Sequence, residues 1–239
     1  MNGINAFSGR LSALAVSAAL VLSALSATAS EPLESDAPDG EDAGVKWAPF
    51  MLGVAPSWPA FSVETDVYGL KLGLPMCGGN VKTRGLEISL FHSGTREIRG
   101  VQLSVIGAST SGHIQGVQII GFGPAISDGL GGLQIAGALG IVGKGTGLQI
   151  APVAIVQDGG MNGTQISLLG VSERVMNGLQ VGVVNVSKKI RGVQIGLFNY
   201  CDAESGVFQI GLVNVVKDGW LPFMILFNAS SGGGKRKSE

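Results

Sequence analysis

The chain has 239 residues, a net charge of −1, 14% charged residues and 6% aromatics. No basic stripe accompanies the aromatic residues, which argues against a nucleic-acid partner. Glycine is abundant at 39 residues, whereas tyrosine is confined to Tyr68 and Tyr200.

The first element is a leader. Arg10 supplies a positive charge, Leu11 to Leu25 form an apolar stretch, and Ala27-Thr28-Ala29 is a small-residue cleavage site. This pattern predicts a secretory signal peptide over residues 1–29, cut after Ala29. The apolar stretch is short beside the roughly 20 residues of a bilayer span, and no cysteine at the cleavage site would take a lipid anchor. Residues 30–45 follow, proline-bearing and acidic. Glu31, Glu34, Asp36, Asp39, Glu41 and Asp42 repel one another and bury nothing, so a disordered linker is expected. Their spacing does not fit the loop of a calcium-binding EF-hand.

Residues 46–229 are expected to form one β-repeat domain with end caps, followed by a polar, disordered tail over 230–239. The domain repeats one phrase, Gly-Leu/Val-Gln-Ile/Val and a small residue. Its central positions are Lys71, Glu87, Gln102, Gln118, Gln134, Gln149, Gln165, Gln180, Gln194 and Gln209, roughly 15 residues apart. A fixed period of this kind marks a repeat architecture, in which no unit folds alone and neighbours must stack. Leu179, Val181 and Val183 alternate with Gln180 and Gly182, a period of two that predicts a strand. The position two after the glutamine is small in most copies (Ser89, Ser104, Ala136, Ala151, Ser167, Gly182, Gly196, Gly211), pointing to a bend or a close backbone approach. Ile98, Ile114, Leu130, Met161, Met176 and Ile190 recur two residues before the leading glycine.

Two all-β architectures fit. One is a repeat β-solenoid of about 15 residues per coil; the other is an up-and-down antiparallel β-barrel whose strands could span an outer membrane. The solenoid is favoured. It explains the recurrent apolar residue of the return segment, the similarity of successive copies, and the lack of aromatic girdles that a membrane barrel needs. Trp47-Ala-Pro49-Phe-Met51 precedes the array and Trp220-Leu-Pro222-Phe-Met224 follows it. Both read as caps, although pairing with each other would instead close a barrel.

The phrase Val67-Tyr-Gly-Leu-Lys-Leu-Gly-Leu-Pro75, the Gly-Leu/Val-Gln-Ile-Gly-Leu-Phe/Val-Asn copies and the closing Gly219-Trp-Leu-Pro-Phe223 resemble a family of exported bacterial surface-repeat proteins. The resemblance spans Trp47 to Asn228 and is most specific in the last three copies. In the middle, Pro124, Gly137 and Pro152 depart from it and the asparagine is lost. The resemblance implies an envelope or surface location and transfers no catalytic residue.

No chemistry-bearing constellation emerges. His92 and His113 fall at different offsets from their central residues, so a stack would not align them into a metal pair. No Gly-x-Ser-x-Gly elbow occurs. Gly143-Lys144-Gly145-Thr146-Gly147 lacks the spacing of a phosphate loop and reads as a turn. Cys77 and Cys201 lie eight copies apart, roughly 38 Å at about 4.8 Å per coil, too far for a disulfide, so both are expected as thiols. The glutamines Gln102, Gln118, Gln134, Gln149, Gln165, Gln180, Gln194 and Gln209 are expected to form a ladder along one outer face, their amides bonding to one another, with a recognition surface as the functional alternative. Asn185, Asn199 and Asn214 would form a second ladder.

Together these readings predict a non-enzymatic, exported cell-envelope or surface protein with a structural, adhesive or partner-binding role and no cofactor or metal. Its partner would be an unidentified envelope component, with membrane association left open. The alternative is a small outer-membrane barrel acting as a pore.

Overall fold

The computed structural model describes residues 47–54, 65–203, 206–219 and 221–231. The expected signal peptide and acidic linker lie outside the described residues, as does most of the expected tail. The described part is all-β and forms a solenoid of about 10 turns with roughly 16 residues per coil, close to the period of the sequence.

Eleven strands succeed one another in a single sheet order. They are β1 (Trp47–Gly53), β2 (Asp66–Gly73), β3 (Met76–Ser89), β4 (His92–Ser104), β5 (Gly107–Ile120), β6 (Pro124–Ala136), β7 (Leu139–Ile150), β8 (Val153–Ile195), β9 (Phe198–Ala203), β10 (Val207–Val216) and β11 (Phe223–Ser230). The long β8 is a run of extended chain that carries three central positions, Gln165, Gln180 and Gln194. From β1 to β10 the pairings are parallel, and like residues stack on like: Gly85 on Gly100, Gln102 on Gln118, Gln134 on Gln149. Parallel stacking excludes the up-and-down barrel, whose neighbours must run antiparallel.

The coil closes on a glycine column. Gly116 has φ of 135° and Gly147 of 139°, a region that side chains with a Cβ avoid. A Cβ on either would also overlap the carbonyl oxygen of the glycine below, Gly100 and Gly132 respectively. The leading glycine of the phrase therefore marks a corner where successive backbones touch. Gly143 to Gly147, expected as a turn, instead runs within β7, its last glycine supplying that corner.

The two ends close differently, although their sequences match. At the start, β1 stacks in parallel on β2 and sets Met51 over Lys71. At the finish, β11 reverses and pairs antiparallel with β10, setting Asn228 against Gln209. An antiparallel last strand cannot propagate the parallel stack, so this cap terminates it.

Ile98, Ile114, Leu130, Met161, Met176 and Ile190 are fully buried, as the return-segment pattern predicts. At about 1.5–3 kcal/mol for each such side chain, this single column supplies much of the apolar core. Cys77 and Cys201 are both buried thiols rather than a disulfide.

Candidate functional site

The glutamine column lies inside the solenoid, not on its face. Gln102, Gln118, Gln134, Gln149, Gln165, Gln180, Gln194 and Gln209 are each 0% exposed. The expected outer ladder is thus corrected to an inner one. The aliphatic residues on either side of each glutamine, which an outer ladder would place in the core, point outward. The amides do bond to one another. Each Nε2 donates to the Oε1 of the preceding coil: Gln118 to Gln102 at 2.7 Å, Gln134 to Gln118 at 2.8 Å, Gln149 to Gln134 at 2.9 Å, Gln165 to Gln149 at 3.0 Å. Gln180, Gln194 and Gln209 continue the chain at 2.6, 2.8 and 2.7 Å. Burying an amide is costly only when it goes unpaired, and this chain pairs both of its ends in every middle coil.

The direction of the chain is fixed at its start. Gln102 Nε2 donates at 3.0 Å to Glu87 Oε1. An ionised carboxylate only accepts, so the first amide must turn its nitrogen toward Glu87 and its oxygen toward the next coil. Every later amide inherits that orientation. Eight aligned side-chain dipoles therefore present their positive end to Glu87, as a helix N-terminus presents its own to an anion.

Glu87 is the centre of a closed polar cluster. Its carboxylate accepts from Ser93 Oγ and Thr95 Oγ1, both at 2.6 Å, and from Thr83 Oγ1 at 3.1 Å. Lys71 Nζ lies 3.6 Å from Glu87 Oε2 and donates to Thr95 Oγ1 and the Gly78 carbonyl. Burial pushes the Glu87 carboxyl up, but the Lys71 ammonium, the Ser93 and Thr95 hydroxyls and the Gln102 amide together hold it below the usual carboxylate range. Cys77 Sγ sits 3.2 Å from Ser93 Oγ. Burial, reinforced by the Glu87 charge, pushes its thiol up to about 12. At neutral pH it stays protonated, and a protonated thiol is a poor nucleophile. Lys71 and Glu87 are 1% and 0% exposed, so the cluster is enclosed within the core.

The other end is built from a second ladder. Asn185 Nδ2 donates to Asn199 Oδ1 at 2.8 Å, and Asn199 Nδ2 to Asn214 Oδ1 at 2.9 Å. These amides point toward the C-terminus, opposite to the glutamines beside them, so the two sets of dipoles oppose each other. The asparagines need room, and glycine supplies it: a Cβ at Gly182 or Gly196 would crowd the Asn185 amide, and one at Gly211 that of Asn199. Where the asparagine is lost, the volume is made up differently, by a cluster of Ile120, Ala125, Ala136, Ala151 and Ala154. The small residues after each glutamine and the asparagine column are thus two halves of one packing choice. At the far end Gln209 Oε1 and Asn228 Oδ1, on paired strands, have no hydrogen-bond partner among the described residues.

The exterior is divided by chemistry. Outward neighbours of the inner column are mostly aliphatic, among them Ile88, Ile119, Ile166, Ile195 and Ile210. The next corner continues the apolar surface through Leu90, Val105, Phe122, Leu168, Leu197 and Leu212, with Phe122 76% and Leu168 63% exposed. Charged side chains such as Lys82, Asp128, Lys144, Arg174 and Lys188 gather on the return segment. This apolar exterior escaped the sequence reading, although a signal was present. Ile98 and its counterparts are four residues before each glutamine and the small residues two after it. These even offsets put all three on one side of a strand.

The histidines stand apart in register, His92 against Gly107 and His113 against Glu97. Among the described residues no group of three or more His, Cys, Asp or Glu is arranged to hold a metal ion. No family model, curated protein or solved structure matches the chain.

Proposed function

We propose that this is a non-enzymatic, exported protein of the cell envelope or surface that acts through its exterior. The observation that carries this reading is the inverted distribution of chemistry. The polar and ionisable side chains Lys71, Glu87 and Cys77 are sealed in the core, while one side of the accessible surface is a long aliphatic face. A rigid stack with a closed polar interior and an apolar outside is suited to contact, not turnover. The leader predicted over residues 1–29 supports export, and the resemblance to surface-repeat proteins supports the envelope as destination.

Fractionation of the producing cells, with N-terminal sequencing of the recovered protein, tests this. The expected product begins at Ser30 and is found in the envelope or at the surface. Recovery from the cytoplasm with Met1 or an uncleaved leader overturns the reading.

A further inference from the structure

Four columns of outward residues, one before and one after each glutamine and two at the following corner, hold no charged residue and a single hydroxyl, Thr164. At about 4.8 Å per coil the strip is about 45–50 Å long, and its five-residue breadth at about 3.3 Å per residue gives about 800 Å². Patches on monomers rarely exceed a few hundred Å². A protein partner on such an area would bring about one hydrogen bond per 100–200 Å², and these side chains offer only the Thr164 hydroxyl.

Shape and charge narrow the occupant further. The corner is convex: Phe122, Leu168, Leu197, Phe198 and Leu212 project from it. A rigid partner would need a matching groove, whereas fluid hydrocarbon needs none. On the opposite border of the strip runs the column containing Arg84, Arg99 and Arg191, with no carboxylate in it. Glu97, one column further, pairs with Arg99 at 2.8 Å, leaving Arg84 and Arg191 for the border. Arg84 lies over the Tyr68 ring, 5.0 Å from its centroid, and exposed Trp47 meets the same ring edge-on at 6.0 Å. Tryptophan and tyrosine rings of this kind favour the water–lipid boundary. A second copy fits less well. A two-fold interface must be complementary to itself, and the arginine border faces no acidic border on its own surface, only the aliphatic corner.

We infer that the strip rests in the surface of an anionic lipid bilayer. The aliphatic corner enters the boundary between headgroups and acyl chains, and the arginine border meets anionic headgroups. This rests on the envelope reading above and names the chemistry of the surface it contacts.

The test is flotation of the protein, purified as its producing cells release it, with vesicles of phosphatidylcholine containing phosphatidylglycerol and with vesicles of phosphatidylcholine alone. Binding is expected to both, about tenfold tighter to the anionic vesicles, with that advantage lost in high salt. Phe122→Asp with Leu168→Asp is expected to weaken binding by about 100-fold with no change in melting temperature. Arg84→Gln with Arg191→Gln should remove the anionic preference and keep the residual binding. No flotation overturns the inference. So does a soluble dimer that ignores vesicles and becomes monomeric on Phe122→Asp, since the strip would then be covered by a second copy. In either case envelope fractionation stands as a separate result: a protein found in the envelope that does not float breaks this inference and spares the reading beneath it.

Discussion

The first and last coils share one backbone and one column, yet fill it with opposite chemistry. Near the start the column holds Lys71 and Glu87, a buried ion pair wrapped in hydroxyls. Near the end it holds glutamines flanked by an asparagine ladder that runs the other way. What the two regions have in common is continuity: the column passes a hydrogen bond from coil to coil, from Gln209 back to Glu87, and the asparagine ladder does the same from Asn185 to Asn214. The difference teaches that the position demands a hydrogen-bonded chain rather than an amide, and that a charge can begin one if its counter-charge is stacked beside it.

The largest effect should come from the corner that both regions share. Gly147→Ala places a Cβ on a carbonyl oxygen at a φ of 139°, and is expected to cost more than about 4 kcal/mol or abolish folding. Gly131→Ala lies one column from that corner, its added Cβ 3.6 Å from the nearest atoms, and should change stability by less than about 1 kcal/mol. Equal denaturant midpoints for the two variants would show that the corner is not a steric requirement.

Next come the charges. Glu87→Ala leaves Lys71 buried and unpaired, an expected loss of about 3–5 kcal/mol. Replacing both, Lys71→Gln with Glu87→Gln, extends the amide chain by two rungs and should recover most of that loss, since buried pairs often exchange for neutral groups with little change. If the double variant is as unstable as Glu87→Ala, the two ends of the ladder are not interchangeable and the comparison fails. The same pair sets the response to acid. The folded Glu87 carboxyl titrates below its ordinary range, so its stabilisation is complete above the unfolded pKa of about 4.3. It is lost as the pH falls from there through the folded value. Urea midpoints should therefore drop on acidification in the native protein and drop less in the double variant.

Much of this was legible before any coordinates. The period, the strand character, the apolar column at Ile98 and Ile114, and the separation of the two cysteines all follow from spacing. What misled was the assumption that aliphatics go in and amides out. A strand's two faces differ by one residue, so a single wrong assignment inverts every side chain. Glutamine looked like a surface residue because an isolated buried amide is penalised. Only stacking, which supplies each amide with a donor and an acceptor from its neighbours, cancels that penalty, and a sequence read one copy at a time does not display it. Lys71 and Glu87 were visible as exceptions in the glutamine column, yet their adjacency in the stack is what makes them a pair. The different closures of the two tryptophan-proline segments were not legible at all, since strand direction at an end depends on what precedes and follows, not on the phrase.

The smallest predicted effects test that inversion most directly, one residue apart. Gln165 accepts from Gln180 at 2.6 Å and donates to Gln149 at 3.0 Å. Gln165→Ala strands Gln149 Oε1 without a donor and Gln180 Nε2 without an acceptor, each worth about 1–3 kcal/mol, so a loss of about 2–5 kcal/mol is expected. Its neighbour Ile166 is 39% exposed. Ile166→Thr keeps the β-branched shape that suits a strand and removes only outward apolar surface, so it should shift stability by no more than about 0.5 kcal/mol. Thermal melts of the two variants decide the parity. If the isoleucine proves the more sensitive of the two, the amides face outward after all and the polar core is wrong. If the glutamine does, an aliphatic exterior is something the fold tolerates but does not need for its own stability, and a role in contact with a partner becomes the reason for it.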